Sequence, residues 1–202
     1  RGLAAPDIDN NCQVQIVIYD IDGAFNTGGY FAPSFASVRE SVFVDFADIT
    51  LNWGKSIIAH ELQHLLHNAQ DPYENLWIDE GNADVAIYLC FGPDSTLVSH
   101  LNQWTEAPEL SIRWWNQRFA DYGAGFIFTM YLADHLGGGP AVRQLVQDSA
   151  TGGVSVQNLA LSPPSGSSGA IGRTMGEIFA NFSVAAFLDS DQGIYGFSNL
   201  DL

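Results

Sequence analysis

The chain has 202 residues, 47% of them hydrophobic and 12% aromatic, ample for one domain with a sizeable core. Its 23 acidic residues face 7 basic ones, giving a formal net charge of −16, with Lys55 the sole lysine. That balance repels phosphate and argues against nucleic acid and anionic membranes as partners. No apolar run approaches the roughly 20 residues of a membrane span. The ends, Arg1-Gly2-Leu3 and Asn199-Leu200-Asp201-Leu202, read as trimmed from a longer precursor.

Residues 13–21 alternate with period two and are rich in β-branched side chains, which predicts a strand closed by the turn Asp22-Gly23. Residues 26–31, with Gly28-Gly29, read as a loop, and 41–46 as a second strand. Asp7, Asp9, Asp20 and Asp22 are candidate calcium ligands, although they match no EF-hand spacing and solvated acidic loops are the plainer reading. A helix over 55–69 follows, closed by Asp71-Pro72, with Ile58, Leu62, Leu65 and Ala69 as its expected buried stripe. Further helices are predicted over 76–89, with Val85 and Leu89 inward, then 95–105, 115–136 and 140–149. The run Gly137-Gly138-Gly139 stops the long one, and Pro140 opens the next. Residues 151–172, rich in Gly, Ser and Pro, read as a flexible loop before a last helix over 174–188 carrying Ile178, Phe179, Phe182 and Ala186. Strands first and helices after make an α+β fold, with a small N-terminal sheet beside a mainly helical C-terminal lobe. One domain over 1–202 is expected, 1–70 giving the sheet and first long helix, 71–202 the lobe. Cys12 and Cys90 either pair outside the cell or remain two buried thiols.

The chemistry concentrates in His60-Glu61-Leu62-Gln63-His64. On a helix, His60 and His64 lie one turn apart, so both imidazoles can meet one metal ion while Glu61 reaches a water beside it. Catalytic zinc sites use three protein ligands, and Glu80 on the following helix is placed to be the third. Asp84, one turn beyond Glu80, is placed to accept the outer ring N–H of a ligating histidine, His60 first. An exposed acidic helix face is the bland alternative for both carboxylates. His67 shares the face of His60 and His64 but is nearly two turns from His60, which assigns it to a cleft wall or an outer supporting position. His100 and His135 have no metal spacing and read as structural or exposed.

His60-Glu61-x-x-His64 with Trp77-Ile78-Asp79-Glu80-Gly81-Asn82-Ala83 resembles the gluzincin zinc metallopeptidases, and Glu80-x-x-x-Asp84 matches the thermolysin-type pairing of ligand and orienting aspartate. Gly28-Gly29-Tyr30-Phe31, Arg39 to Asp45 and Ala59 to His64 are similar to hyicolysin-type secreted bacterial metallopeptidases, as are Tyr122 to Phe126 and Ile178 to Ala185 in the helical lobe. Asp79 stands where many relatives have Asn. The metzincin pattern is absent, since the places of its Gly and third His hold His67 and Gln70.

The resemblance implies a zincin-like fold and a secreted, monomeric endopeptidase. One zinc ion would be held by His60, His64 and Glu80, with Glu61 as general base and protein or peptide as substrate. It also implies an oxyanion donor early in the long helix, for which Tyr122 is the candidate against Tyr131 and Tyr73. In such enzymes a strand before the active helix edges the cleft and pairs with substrate, which points to Ser41, Val42 and Phe43. An inactive zinc-binding module and a zinc hydrolase acting on other bonds are the competing readings.

Overall fold

The strand Ser41–Asp45 (β3), with Val42, Phe43 and Val44 at its middle, lies at the centre of the only sheet found among the described residues, and all five positions are buried. The structure is a computed structural model and describes residues 5–167 and 170–198. The chain termini and Ser168-Gly169, inside the predicted loop, lie outside them. Strand β1 (Gln15–Tyr19) pairs parallel to β3, with Gln15 opposite Ser41 and Tyr19 opposite Asp45. Strand β2 (Gly29–Phe31) pairs antiparallel on the other side, with Gly29 opposite Val44 and Phe31 opposite Val42. The sheet order is therefore β1-β3-β2. Two short helices, α1 (Pro33–Ala36) and α2 (Phe46–Ile49), flank β3. Asp45 caps α2 by accepting from the backbone N–H of Ala47 and Asp48, and it also accepts from Ile21.

The strand expected over 13–21 is shorter by two residues at each end, and a strand forms where a loop was expected at 29–31. Glycine explains the second difference. A Cβ on Gly29 would stand 2.5 Å from Ile57 Cγ2 and 2.7 Å from the Phe43 carbonyl oxygen, so only a bare backbone can enter here as a strand.

Helix α3 (Gly54–Asn68) crosses the sheet, and Leu65 and Leu62 pack with Ala36, Val42 and Phe31 beneath it. Its burial is not the single stripe expected. Ala69 is exposed, while Glu61, Gln63, His64 and His67 are buried, because the helix is covered by the sheet on one side and by α4 (Leu76–Phe91) on another. Within α4, Val85 is buried as expected, but Leu89 is 49% exposed. Helix α5 (Ser95–Thr105) spans the predicted range, and Asp94 caps it. Helix α6 (Phe119–Leu136) begins four residues later than predicted, because Asp121 accepts from the N–H groups of Asn116 and Arg118 and closes a cap there. The helix ends at Gly137, whose φ of 112° favours glycine.

Helices α7 (Gly139–Gln147), α8 (Gly153–Leu161) and α9 (Met175–Leu188) complete the lobe. Residues 153–161 correct the expectation of a loop over 151–172. Val156 and Leu159 are fully buried among Trp77, Phe128, Ile178 and Phe182, and that burial outweighs the stretch's Gly and Ser content. On α9 the inward face is Ile178, Phe182 and Ala185, while Phe179 is 38% exposed. Cys12 and Cys90 are both free and exposed, which corrects both the disulfide and the buried-thiol expectations.

Candidate metal centre

α3 and α4 pack side by side and present three groups to one point. His60 Nε2 lies 3.0 Å from Glu80 Oε2, and His64 Nε2 lies 3.4 Å from the same oxygen. Donor atoms of His60, His64 and Glu80 all fall within 4.8 Å of one another. Each ring's outer nitrogen is separately engaged. His60 Nδ1 is 3.1 Å from Asp84 Oδ1, and His64 Nδ1 is 2.9 Å from Asp79 Oδ2. Two imidazoles with their Nδ1 atoms tied to carboxylates and their Nε2 atoms converging on a third carboxylate form a donor set that fits a four-coordinate metal with one open position.

Both tying carboxylates are backed by a second histidine. Asp84, with no exposed surface, bonds His100 Nδ1 at 2.7 Å through its other oxygen. Asp79 Oδ1 is 2.8 Å from His67 Nδ1, a close polar contact whose geometry falls short of a hydrogen bond. Asp84 thus lies between His60 and His100, and of the two places expected for His67, a cleft wall or an outer supporting position, the cleft wall is not the one it occupies. It is 1% exposed and sits behind Asp79, outside the cleft lining. His100, expected to be structural or exposed, is buried and joins the centre. No local sequence signal marks it, because its ring reaches Asp84 only through the packing of α5. His135 bonds the Gly196 carbonyl and is structural.

Burial of the His60 ring disfavours its charged form, but the hydrogen bonds it makes to Asp84 and Glu80 outweigh that and raise the pKa to about 10. His64 is likewise raised well above the usual value by Asp79 and Glu80 against its burial. In return Glu80 is lowered to about 2 despite its burial, chiefly by His64 and His60. Glu61 differs: burial raises its carboxyl pKa, and the two histidines only partly offset that.

A cleft of about 670 Å³ opens over these groups. Its walls include residues 26–31, Ile57, Glu61, His100, Phe119 and Tyr122. Ser41, Val42 and Phe43 do not line it. They lie in the central strand, whose backbone pairs with β1 and β2 on its two sides, so that strand has no edge to offer a substrate. The cleft edge is β2, and Phe43 reaches it only by stacking beneath Tyr30 at a centroid distance of 4.7 Å. Tyr122 stands in the cleft, its ring 6.1 Å from that of His60 and 4.9 Å from that of His100. Burial and the surrounding carboxylates raise its hydroxyl pKa, so the phenol keeps its proton. The competing tyrosines fall away, since Tyr73 is 83% exposed outside the cleft lining and Tyr131 is buried in the core against Phe182 and Phe197.

The chain aligns with the neutral metalloprotease ShpI of Staphylococcus hyicus at 25% identity over 227 residues, covering 95% of this chain and 50% of that protein. The chain therefore spans about half the length of the curated relative it matches. No family model matches the sequence.

Proposed function

We propose that the chain is the catalytic domain of a secreted zinc-dependent endopeptidase of the gluzincin class, with a zincin-like fold and acting as a monomer. One observation carries this: the Nε2 atoms of His60 and His64 converge on Glu80 while Glu61, with a raised pKa, faces the same cleft. The distant likeness to a neutral metalloprotease of Staphylococcus hyicus supports the metallopeptidase reading and a bacterial origin, while secretion rests on the resemblance of the sequence motifs to hyicolysin-type peptidases. No described helix is long and apolar enough to cross a membrane.

His60, His64 and Glu80 would hold the zinc ion, which when bound supplies a Lewis acid for a peptide carbonyl and lowers the pKa of water. Glu61 takes a proton from the attacking water and delivers it to the leaving amine, a task suited to a carboxyl whose pKa burial has moved toward neutrality. Tyr122 donates its hydroxyl proton in a hydrogen bond to the developing oxyanion without carrying charge. Asp84 and Asp79 fix the two imidazoles with Nε2 turned inward. An extended substrate pairs with the edge of β2, whose outer side carries no strand partner among the described residues. The intact Glu61 in an open cleft favours this over an inactive binding module.

Peptide-library cleavage read by mass spectrometry, with and without chelator, tests the reading. Chelator-sensitive endoproteolytic products are expected. A zinc-loaded protein that cuts no peptide in the library, or only non-peptide bonds, would overturn it.

A further inference from the structure

A group of carboxylates able to hold a cation lies away from the His60 centre, where the segment before β1 meets the start of β3. Carboxylate oxygens of Asp7, Asp9 and Glu40 all fall within 4.8 Å of one another. Glu40 is 1% exposed. One of its oxygens accepts from the Ile8 backbone N–H, while the other, Oε2, is buried with no hydrogen-bond partner. Asp9 is partly compensated, since Oδ1 accepts from the Asn11 N–H and Oδ2 pairs with Arg39 Nε at 3.1 Å. Arg39, itself half-exposed, is the one basic group paired there among the described residues.

A buried carboxylate oxygen without a donor is costly, and two more carboxylates at this range add repulsion. One guanidinium bound to one of the three does not balance them. A divalent cation among the three would satisfy the orphaned Glu40 oxygen and remove the repulsion together. Calcium takes 6–8 oxygen ligands at 2.3–2.6 Å, so any two oxygens around it lie within about 5 Å, a condition the three carboxylates meet. An all-carboxylate donor set with no nitrogen or sulfur selects a hard cation over zinc. The irregular setting, with one ligand buried and Asp7 exposed, suits calcium over magnesium, which demands near-ideal octahedral geometry.

We propose that Asp7, Asp9 and Glu40 form a calcium site that fastens the segment before β1 to the leading end of β3. Asp20 and Asp22, named with these aspartates from the sequence, do not belong to the cluster, and Asp22 is engaged by the N–H and hydroxyl of Thr27. The Glu40 backbone carbonyl already accepts from Gln15 N–H at 2.8 Å, so the cation would lock a junction the sheet begins.

The test is calcium chloride titrated into the zinc-loaded, calcium-stripped full chain, followed by calorimetry and thermal unfolding. One binding event is expected, with a Tm rise of about 5–10 °C at calcium 100-fold above its Kd. Asp7→Asn with Asp9→Asn, at positions exposed enough to leave folding intact, should weaken binding at least about tenfold and abolish the Tm rise with zinc content unchanged. Absence of binding in the wild type, a Tm rise that survives in the double variant, or an equal response to magnesium chloride overturns the proposal. Calcium binding is read directly, so the outcome is independent of peptidase activity.

Discussion

Gly81→Ala tests whether the approach of α4 to α6 sets the geometry of the metal centre. A Cβ at residue 81 would stand 2.5 Å from the Gly125 carbonyl oxygen and 2.6 Å from Thr129 Oγ1, about 0.9 Å inside ordinary contact with the backbone atom. Gly125 faces back with the same economy, its own Cβ site lying 2.9 Å from the Trp77 carbonyl oxygen. The blocking atom is backbone, so no rotamer change relieves it and the helices must part. Alanine gains about 1 kcal/mol in helix propensity over glycine, whereas overpacking costs about 1–3 kcal/mol and belongs at the upper end here. A net loss of about 2 kcal/mol follows, which lowers Tm by about 4–8 °C for a chain of this size. Glu80 adjoins the site of substitution on α4, and Tyr122 lies three residues before Gly125 on α6. A shift near 1 Å between them should cut peptide hydrolysis about 100-fold. Differential scanning calorimetry and peptide-cleavage kinetics on the zinc-loaded variant provide the readouts. Gly176→Ala in α9, where nothing lies within 4 Å of the added Cβ, is the control and should be neutral or stabilising by about 0.5 kcal/mol. A Gly81→Ala protein with wild-type Tm would refute the packing argument, and one with lowered Tm but unchanged kcat would refute its link to the site.

Asp84→Asn and Asp79→Asn should each weaken zinc binding about 10–100-fold in a competition titration, because each loosens one ligating ring. Wild-type affinity in either would remove that aspartate from the centre. Tyr122→Phe should lower kcat by about 10²–10³ with KM little changed; an unaffected kcat would send the oxyanion role elsewhere. Asp45 is held below its usual pKa, its burial outweighed by hydrogen bonds from Ile21, Ala47 and Asp48. Its contribution is therefore complete above the unfolded value near 4 and is lost as pH falls through the lowered folded value. The stability gap between wild type and Asp45→Asn, measured by denaturant unfolding, should shrink across that acid window, and a gap independent of pH would contradict the assignment.

Much of this centre is legible locally. His60, Glu61 and His64 follow from helical spacing, and Glu80 with Asp84 from the next helix, because a short connection forces α4 back against α3. What escaped depends on contacts distant in sequence. His100 is recognisable only once α5 packs on α6 and brings its ring to Asp84, 16 residues away. Ser41 to Phe43 have the composition of a strand, but whether a strand is central or an edge depends on its partners, and β2 was hidden because Gly28-Gly29 carries the mark of a loop. Those glycines are there because the strand runs against Ile57 and Glu61. Helix α8 was obscured likewise: its propensity is weak, and its stability comes from Val156 and Leu159 entering a core made by α4, α6 and α9.

Casein hydrolysis by wild type and Glu61→Gln, each assayed alongside its bound zinc, tests the central claim most directly. The expected result is chelator-sensitive cleavage by the wild type that zinc restores, and loss of cleavage in Glu61→Gln with one zinc per chain retained. Cleavage that persists in zinc-replete Glu61→Gln, or a wild type that binds no zinc, would contradict it.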